Sequence, residues 1–181
     1  MFTDARSKKV VLVAHCILNQ NSISDGTADF PSQVKEIVQI FIKKDIGIIQ
    51  MSCPELMCLD LDRGDVHGAE RPVVVENTRI RASLNKPNPK KKIHSLVKQT
   101  IHQIKEYRKN GFSILGIVGI NRSPSCGVNT TSMDNKEVSG QGVFIKALQE
   151  ELKKDKIKLK FVGIKTSKMK EAVKSIKELI K

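Results

Sequence analysis

The sequence predicts an α/β fold, a three-layer α/β/α arrangement around a mostly parallel sheet. Apolar runs of strand length recur along the chain, helical stripes separate them, and the first three runs show almost no polar alternation. Continuous Val- and Ile-rich runs are what strands buried on both faces of a parallel sheet require. Lys9 to His15 (KVVLVAH), Ile46 to Ser52 (IGIIQMS), Phe112 to Ile120 (FSILGIVGI) and Leu159 to Ile164 (LKFVGI) read as the strands.

The helices fall between and after them. Val34, Ile37, Val38, Phe41 and Ile42 repeat at helical spacing, with Pro31 expected in the first turn. Ile93, Leu96, Val97, Ile101 and Ile104 form a second stripe, stopped at Asn110-Gly111. Val143, Phe144, Ala147, Leu148 and Leu152 form a third, and Met169, Ala172, Val173, Ile176 and Leu179 the last. Strands alternating with helices imply right-handed crossovers and a Rossmann-like sheet covered on both faces. One region breaks the alternation. Pro54 to Pro89 has no helical stripe, and Val73-Val74-Val75 within it reads as a short strand. Pro87-Asn88-Pro89 reads as the exposed end of this insertion, about residues 56–89, which is expected to be an irregular substrate-covering loop.

A chain of 181 residues fits one domain with its own core. It carries no signal-peptide pattern and no run of the roughly 20 apolar residues that a membrane span needs. A soluble cytoplasmic protein is expected, with no membrane partner. The net charge of +13 suits an anionic partner such as RNA. However, 11 lysines and three acids between Lys153 and Lys181 read more simply as solvated helix faces, and aromatics for base stacking are only 4%. Nucleic acid is therefore the weaker partner reading.

Four cysteines in a reducing compartment are free for metal binding or catalysis. Cys16 follows the first strand, Cys53 the second, and Cys126 lies six residues beyond the third. In an open parallel sheet, ligands bind outside the carboxyl ends of the strands, so the fold should deliver all three thiols to one edge. Any one of them alone would read as a small buried hydrophobe. Their neighbours are polar or turn-forming instead: His15 before Cys16 with Asn19-Gln20-Asn21 after it, Ser52-Cys53-Pro54-Glu55, and Ser123-Pro124-Ser125-Cys126-Gly127. Cys58, among Leu56, Met57 and Leu59, reads as packing. Three thiolates can hold zinc with His15 or water as fourth ligand, or a 4Fe–4S cluster with one iron open. Structural zinc sites favour close C-x₂₋₄-C pairs, which these three do not form, so the chemistry leans toward the cluster.

At these motifs the chain resembles the 2-thiouracil desulfidase family, and more closely its less characterised branch of related desulfidases. The residues that carry the resemblance are His15-Cys16-Ile17-Leu18-Asn19-Gln20-Asn21, Cys53-Pro54-Glu55 and Ser123-Pro124-Ser125-Cys126-Gly127, with a fainter echo in Ser139-Gly140-Gln141-Gly142-Val143. The resemblance implies a 4Fe–4S cluster held by Cys16, Cys53 and Cys126. Its open iron would take up the removed sulfur, giving a 4Fe–5S form. It also implies an acid/base role for Glu55 and substrate handling by Ser123. His15, Ser125 and Asn19 are candidates for the shell around the ligands. The Asn19-Gln20-Asn21 stretch departs from the thiouracil-cleaving branch, so the expected substrate is a thiolated nucleobase or a related small thiocarbonyl compound. Two other readings stay open: a sulfur carrier or insertion enzyme acting on tRNA, and a non-enzymatic metal- or redox-sensing protein.

Overall fold

The computed structural model describes residues 2–181. Four parallel strands form the main sheet: β1 (Lys9–Val13), β2 (Gly47–Gln50), β3 (Ser113–Ile120) and, last in the chain, a strand at Phe161–Ile164. The spatial order places β2 beside β1, β1 beside β3, and β3 beside the last strand. Pairing is in register from Val10↔Gly47 to Val13↔Gln50, and an irregularity between Val10 and Leu12 shifts β1 against β3. Val11, Leu12, Val13, Ile117 and Val118 are fully buried, as two-sided coverage demands.

The helices are α1 (His15–Leu18), α2 (Lys35–Ile42), α3 (Pro54–Leu59), α4 (Val73–Leu84), α5 (Pro87–Lys109), α6 (Val143–Lys154) and α7 (Met169–Leu179). Helix α2 packs on α7 and α5 on α6, giving the three-layer α/β/α fold. From β1 the chain first moves to β2 on one side and later to β3 on the other. The gap between β1 and β3 at their carboxyl ends is therefore the topological switch point, where open α/β sheets bind ligands.

The insertion is helical over most of its length, not irregular throughout, with the stretch 60–72 between its helices made of turns and a short 3-10 segment. Val73-Val74-Val75 opens α4 instead of forming a strand, and Pro87 and Pro89 occupy the first turn of α5 instead of an exposed loop end. Helix α4 hides from pattern reading because its buried positions are Glu76, Asn77, Ile80 and Leu84, two of them polar. Pro31 lies outside α2, whose N-cap is Val34. A hairpin unforeseen from the pattern, β4 (Thr130–Met133) and β5 (Lys136–Ser139), turns through Asp134 and Asn135, both left-handed. In chain order the Phe161–Ile164 strand is then β6. Asp and Asn tolerate positive φ, which two-residue hairpin turns of this hand require. Among the described residues, no helix is long and apolar enough to cross a membrane.

Candidate active site

The three cysteine loops meet at the switch point. Strand β1 ends at Val13, Ala14 N–H donates to the Val118 carbonyl at 2.8 Å, and the chain then turns through α1 with Cys16 in its first turn. Cys53 is the N-cap of α3, with Pro54 pre-set for the first helical position. Beyond β3, Ser123 folds its loop on itself: its Oγ accepts from Ser125 N–H at 3.2 Å and Cys126 N–H at 2.9 Å. Gly127, whose φ is not positive, serves close packing. A Cβ there would stand 2.3 Å from the Thr130 carbonyl oxygen. One at Gly142 would stand 2.3 Å from the Ser125 backbone, so the start of α6 presses directly on the cysteine loop.

A cavity of about 320 Å³ opens between these loops. His15, Cys16, Cys53, Glu55, Ser123, Ser125 and Cys126 all line it. Asn19 does not; its Oδ1 caps the following turn by accepting from Asn21 N–H at 3.1 Å. Cys58 is also elsewhere, half-buried with Sγ 3.6 Å from the Pro89 carbonyl.

Glu55 is the hub. It is 6% exposed, and both carboxylate oxygens are engaged. Oε1 accepts from Ser125 Oγ at 2.6 Å and Ser123 Oγ at 3.3 Å, and Oε2 from Ser24 Oγ at 3.1 Å and Arg63 Nε at 3.3 Å. These four partners come from the Cys126 loop, the stretch after Cys16, and the insertion. Glu55, two residues after Cys53, therefore ties all three cysteine loops together. A buried carboxylate without such partners would be strongly unfavourable, and the guanidinium balances its charge.

Arg63, Ser24 and Arg81 are the residues that sequence reasoning missed. Arg81 on α4 braces the Cys126 loop by donating to the Pro124 carbonyl at 3.3 Å and to Thr131 Oγ1 at 3.0 Å. No short motif marks any of them. The available signal was only that arginines recur in a segment otherwise poor in pattern.

Burial dominates the electrostatics of the thiols. It pushes the Cys53 thiol up to about 11 and Cys16 higher still, and raises Cys126 well above its ordinary value, because thiolate is disfavoured away from water. The neighbouring cysteines add to the rise at Cys126, and Arg63 opposes it at Cys16 and Cys53. Burial also pulls His15 below its ordinary value, with Arg63 adding to the effect and the Met51 backbone opposing it. Such thiols are nucleophile-poor as they stand and suit a role in which a bound cation stabilises the thiolate.

The donor set fits an iron–sulfur cluster: three cysteine sulfurs from three separate loops around one cavity, with Arg63 Nη2 3.9 Å from Cys53 Sγ and Ser125 Oγ 3.6 Å from Cys126 Sγ. Among the described residues, no three His, Cys, Asp or Glu side chains gather into a single-ion site.

No family model matches the chain, and no solved structure matches it. It is similar to the uncharacterized protein MJ0003 of Methanocaldococcus jannaschii, 28% identical over 149 residues, which cover 80% of this chain and 86% of that protein. That likeness carries no activity with it.

Proposed function

We propose that the protein is an iron–sulfur-dependent desulfidase that removes sulfur from a thiolated nucleobase or related small thiocarbonyl compound. The observation that supports this reading is the meeting of three cysteines, a buried glutamate and two serines in one cavity at the switch point. Cys16, Cys53 and Cys126 would hold a 4Fe–4S cluster, leaving one position without a protein ligand. When bound, that cluster supplies a soft Lewis acid for a thiocarbonyl sulfur.

The chain's own residues supply positioning and proton handling. The overall change is C=S plus water to C=O plus hydrogen sulfide, which consumes no oxidant or reductant. Water adding at carbon must lose a proton, and the sulfur must leave with one. Ser125 Oγ, 2.6 Å from Glu55 Oε1, offers a path by which a proton reaches the carboxylate and returns. Ser123 Oγ, on the same oxygen at 3.3 Å, shares that path and borders the open cavity. Arg63 and Ser24 hold the other carboxylate oxygen, so Glu55 stays aimed while its Oε1 works.

The test is sulfide release by anaerobically reconstituted protein from 2-thiouracil and a panel of thiolated bases and nucleosides. Release with formation of the oxygen analogue supports the reading. A loaded protein that releases sulfide from none of them overturns it.

A further inference from the structure

Arg63 is 2% exposed, the one fully buried cation among the described residues, and it comes from the insertion. All five of its N–H donors have targets. Nε donates to Glu55, the two at Nη1 reach the Asp60 and Leu61 carbonyls at 3.0 and 2.9 Å, and Nη2 reaches the Ser22 carbonyl and Cys53 Sγ. Four donors are thus spent on oxygen and one on a cysteine sulfur.

The backbone that delivers this guanidinium is unfavourable by itself. Arg63 is left-handed at φ 57°, and Asp60 sits at φ 64° and ψ −176°, a region otherwise almost confined to glycine. A second layer holds the turn in place. Arg79 Nη2 donates to the Arg63 carbonyl at 2.9 Å, and the buried Glu76 accepts from Arg79 and from Arg71 Nη1. A Cβ at Gly68 would stand 2.8 Å from Glu76 Oε1 and would push that carboxylate off its arginine partners. Two strained residues and ion pairs to two buried carboxylates serve to bring one cation to one sulfur.

We propose that Arg63 is the positioning and charge-compensating residue of the three-cysteine site. On this account the insertion is a fixed wall of the metal centre, braced by Arg79 and Glu76, and not a moving cover. The inference rests on the reading of Cys16, Cys53 and Cys126 as cluster ligands. Three thiolates and Glu55 together would outweigh the positive charge that a bound cluster core brings, and Arg63 is the one buried side-chain cation among the described residues to oppose the remainder. Hydrogen bonds to the sulfurs and nearby charge set a cluster's reduction potential, and outer partners of metal ligands govern retention.

The test compares wild type with Arg63→Met, Arg63→Lys and Arg79→Met after anaerobic reconstitution. Iron and sulfide content, the rate of cluster loss to a chelator and the midpoint potential are read out, with circular dichroism as the check on folding. Arg63→Met should lose its cluster about tenfold faster or more and shift the potential to more negative values, because the cation favours the added electron. Arg63→Lys should keep most of the potential while still losing cluster faster than wild type. Arg79→Met should change both in the same direction and less. If Arg63→Met does not fold, the other two variants decide the matter. Folded variants with wild-type loss rate and potential overturn the role of Arg63 and leave the desulfidase reading standing. Wild type that takes up no iron or sulfide overturns both.

Discussion

Cys16, Cys53 and Cys126 reach the cavity because they follow β1, β2 and β3, whereas Arg63 reaches the same cavity from a turn between α3 and α4. The first arrangement follows from topology: parallel strands end together, so whatever follows them is gathered at one edge. The second needs two residues at positive φ, Asp60 and Arg63, and ion pairs to the buried carboxylates of Glu55 and Glu76. The contrast teaches that the sheet edge gathers the thiols of the proposed metal centre, while the insertion supplies the charge proposed to tune it.

The sharpest way to break that division is at the cysteines. Substituting serine for Cys16, Cys53 or Cys126 in turn should abolish stable cluster incorporation and sulfide release, as iron analysis and turnover would show. Cys58→Ser should leave both intact. If Cys58→Ser also loses the cluster, the three-ligand account is wrong.

Glu55→Gln comes next. It keeps the shape, removes the proton acceptor and leaves Arg63 facing a neutral amide. Turnover should fall by about 10²–10⁴, with iron content close to wild type. The melting temperature should fall too, because breaking a buried pair by removing one partner costs about 3–5 kcal/mol. Retained turnover would remove Glu55 from proton handling.

Gly142→Ala probes the contact between α6 and the Cys126 loop. Overpacking against the Ser125 backbone should destabilise the protein by about 1–3 kcal/mol in denaturant unfolding. An unchanged midpoint would show that this loop yields.

The smallest effect belongs to Glu76. The hydrogen bond from Arg79 is the main cause holding its carboxyl below the ordinary 4.5, against burial. A lowered folded value means stability that is present above the unfolded value and lost as pH falls through the folded one. Thermal stability should therefore decline below about pH 4.5, and Glu76→Gln should flatten that decline. Equal declines in the two proteins would show that the brace contributes nothing.

The same contrast governs what could be read from the sequence. Strands β1, β2 and β3 are apolar runs whose hydropathy is visible directly, so the sheet and the edge position of the three cysteines followed from pattern. Glu55, Ser123 and Ser125 were visible as polar company for those cysteines. Helix α4 was not, because Glu76 and Asn77 occupy its buried face, and their burial is justified only by specific partners, Arg71 and Arg79 near Glu76 and the distant Ser132 for Asn77. Arg63 lies in a stretch without a motif. Its role depends on a left-handed φ and on donors aimed at Ser22, Cys53 and Glu55, relations that no local window contains. The hairpin was lost for a milder reason: its strands, TTSM and KEVS, are short and weakly apolar, and only the Asp134-Asn135 turn announced them.

The central claim is that three cysteines at one sheet edge hold one iron–sulfur cluster. Iron and acid-labile sulfide measured per chain after anaerobic reconstitution test it most directly. The account predicts about four of each per chain, with a brown protein that Cys126→Ser turns colourless. A colourless protein that binds one zinc and takes up no sulfide would contradict it.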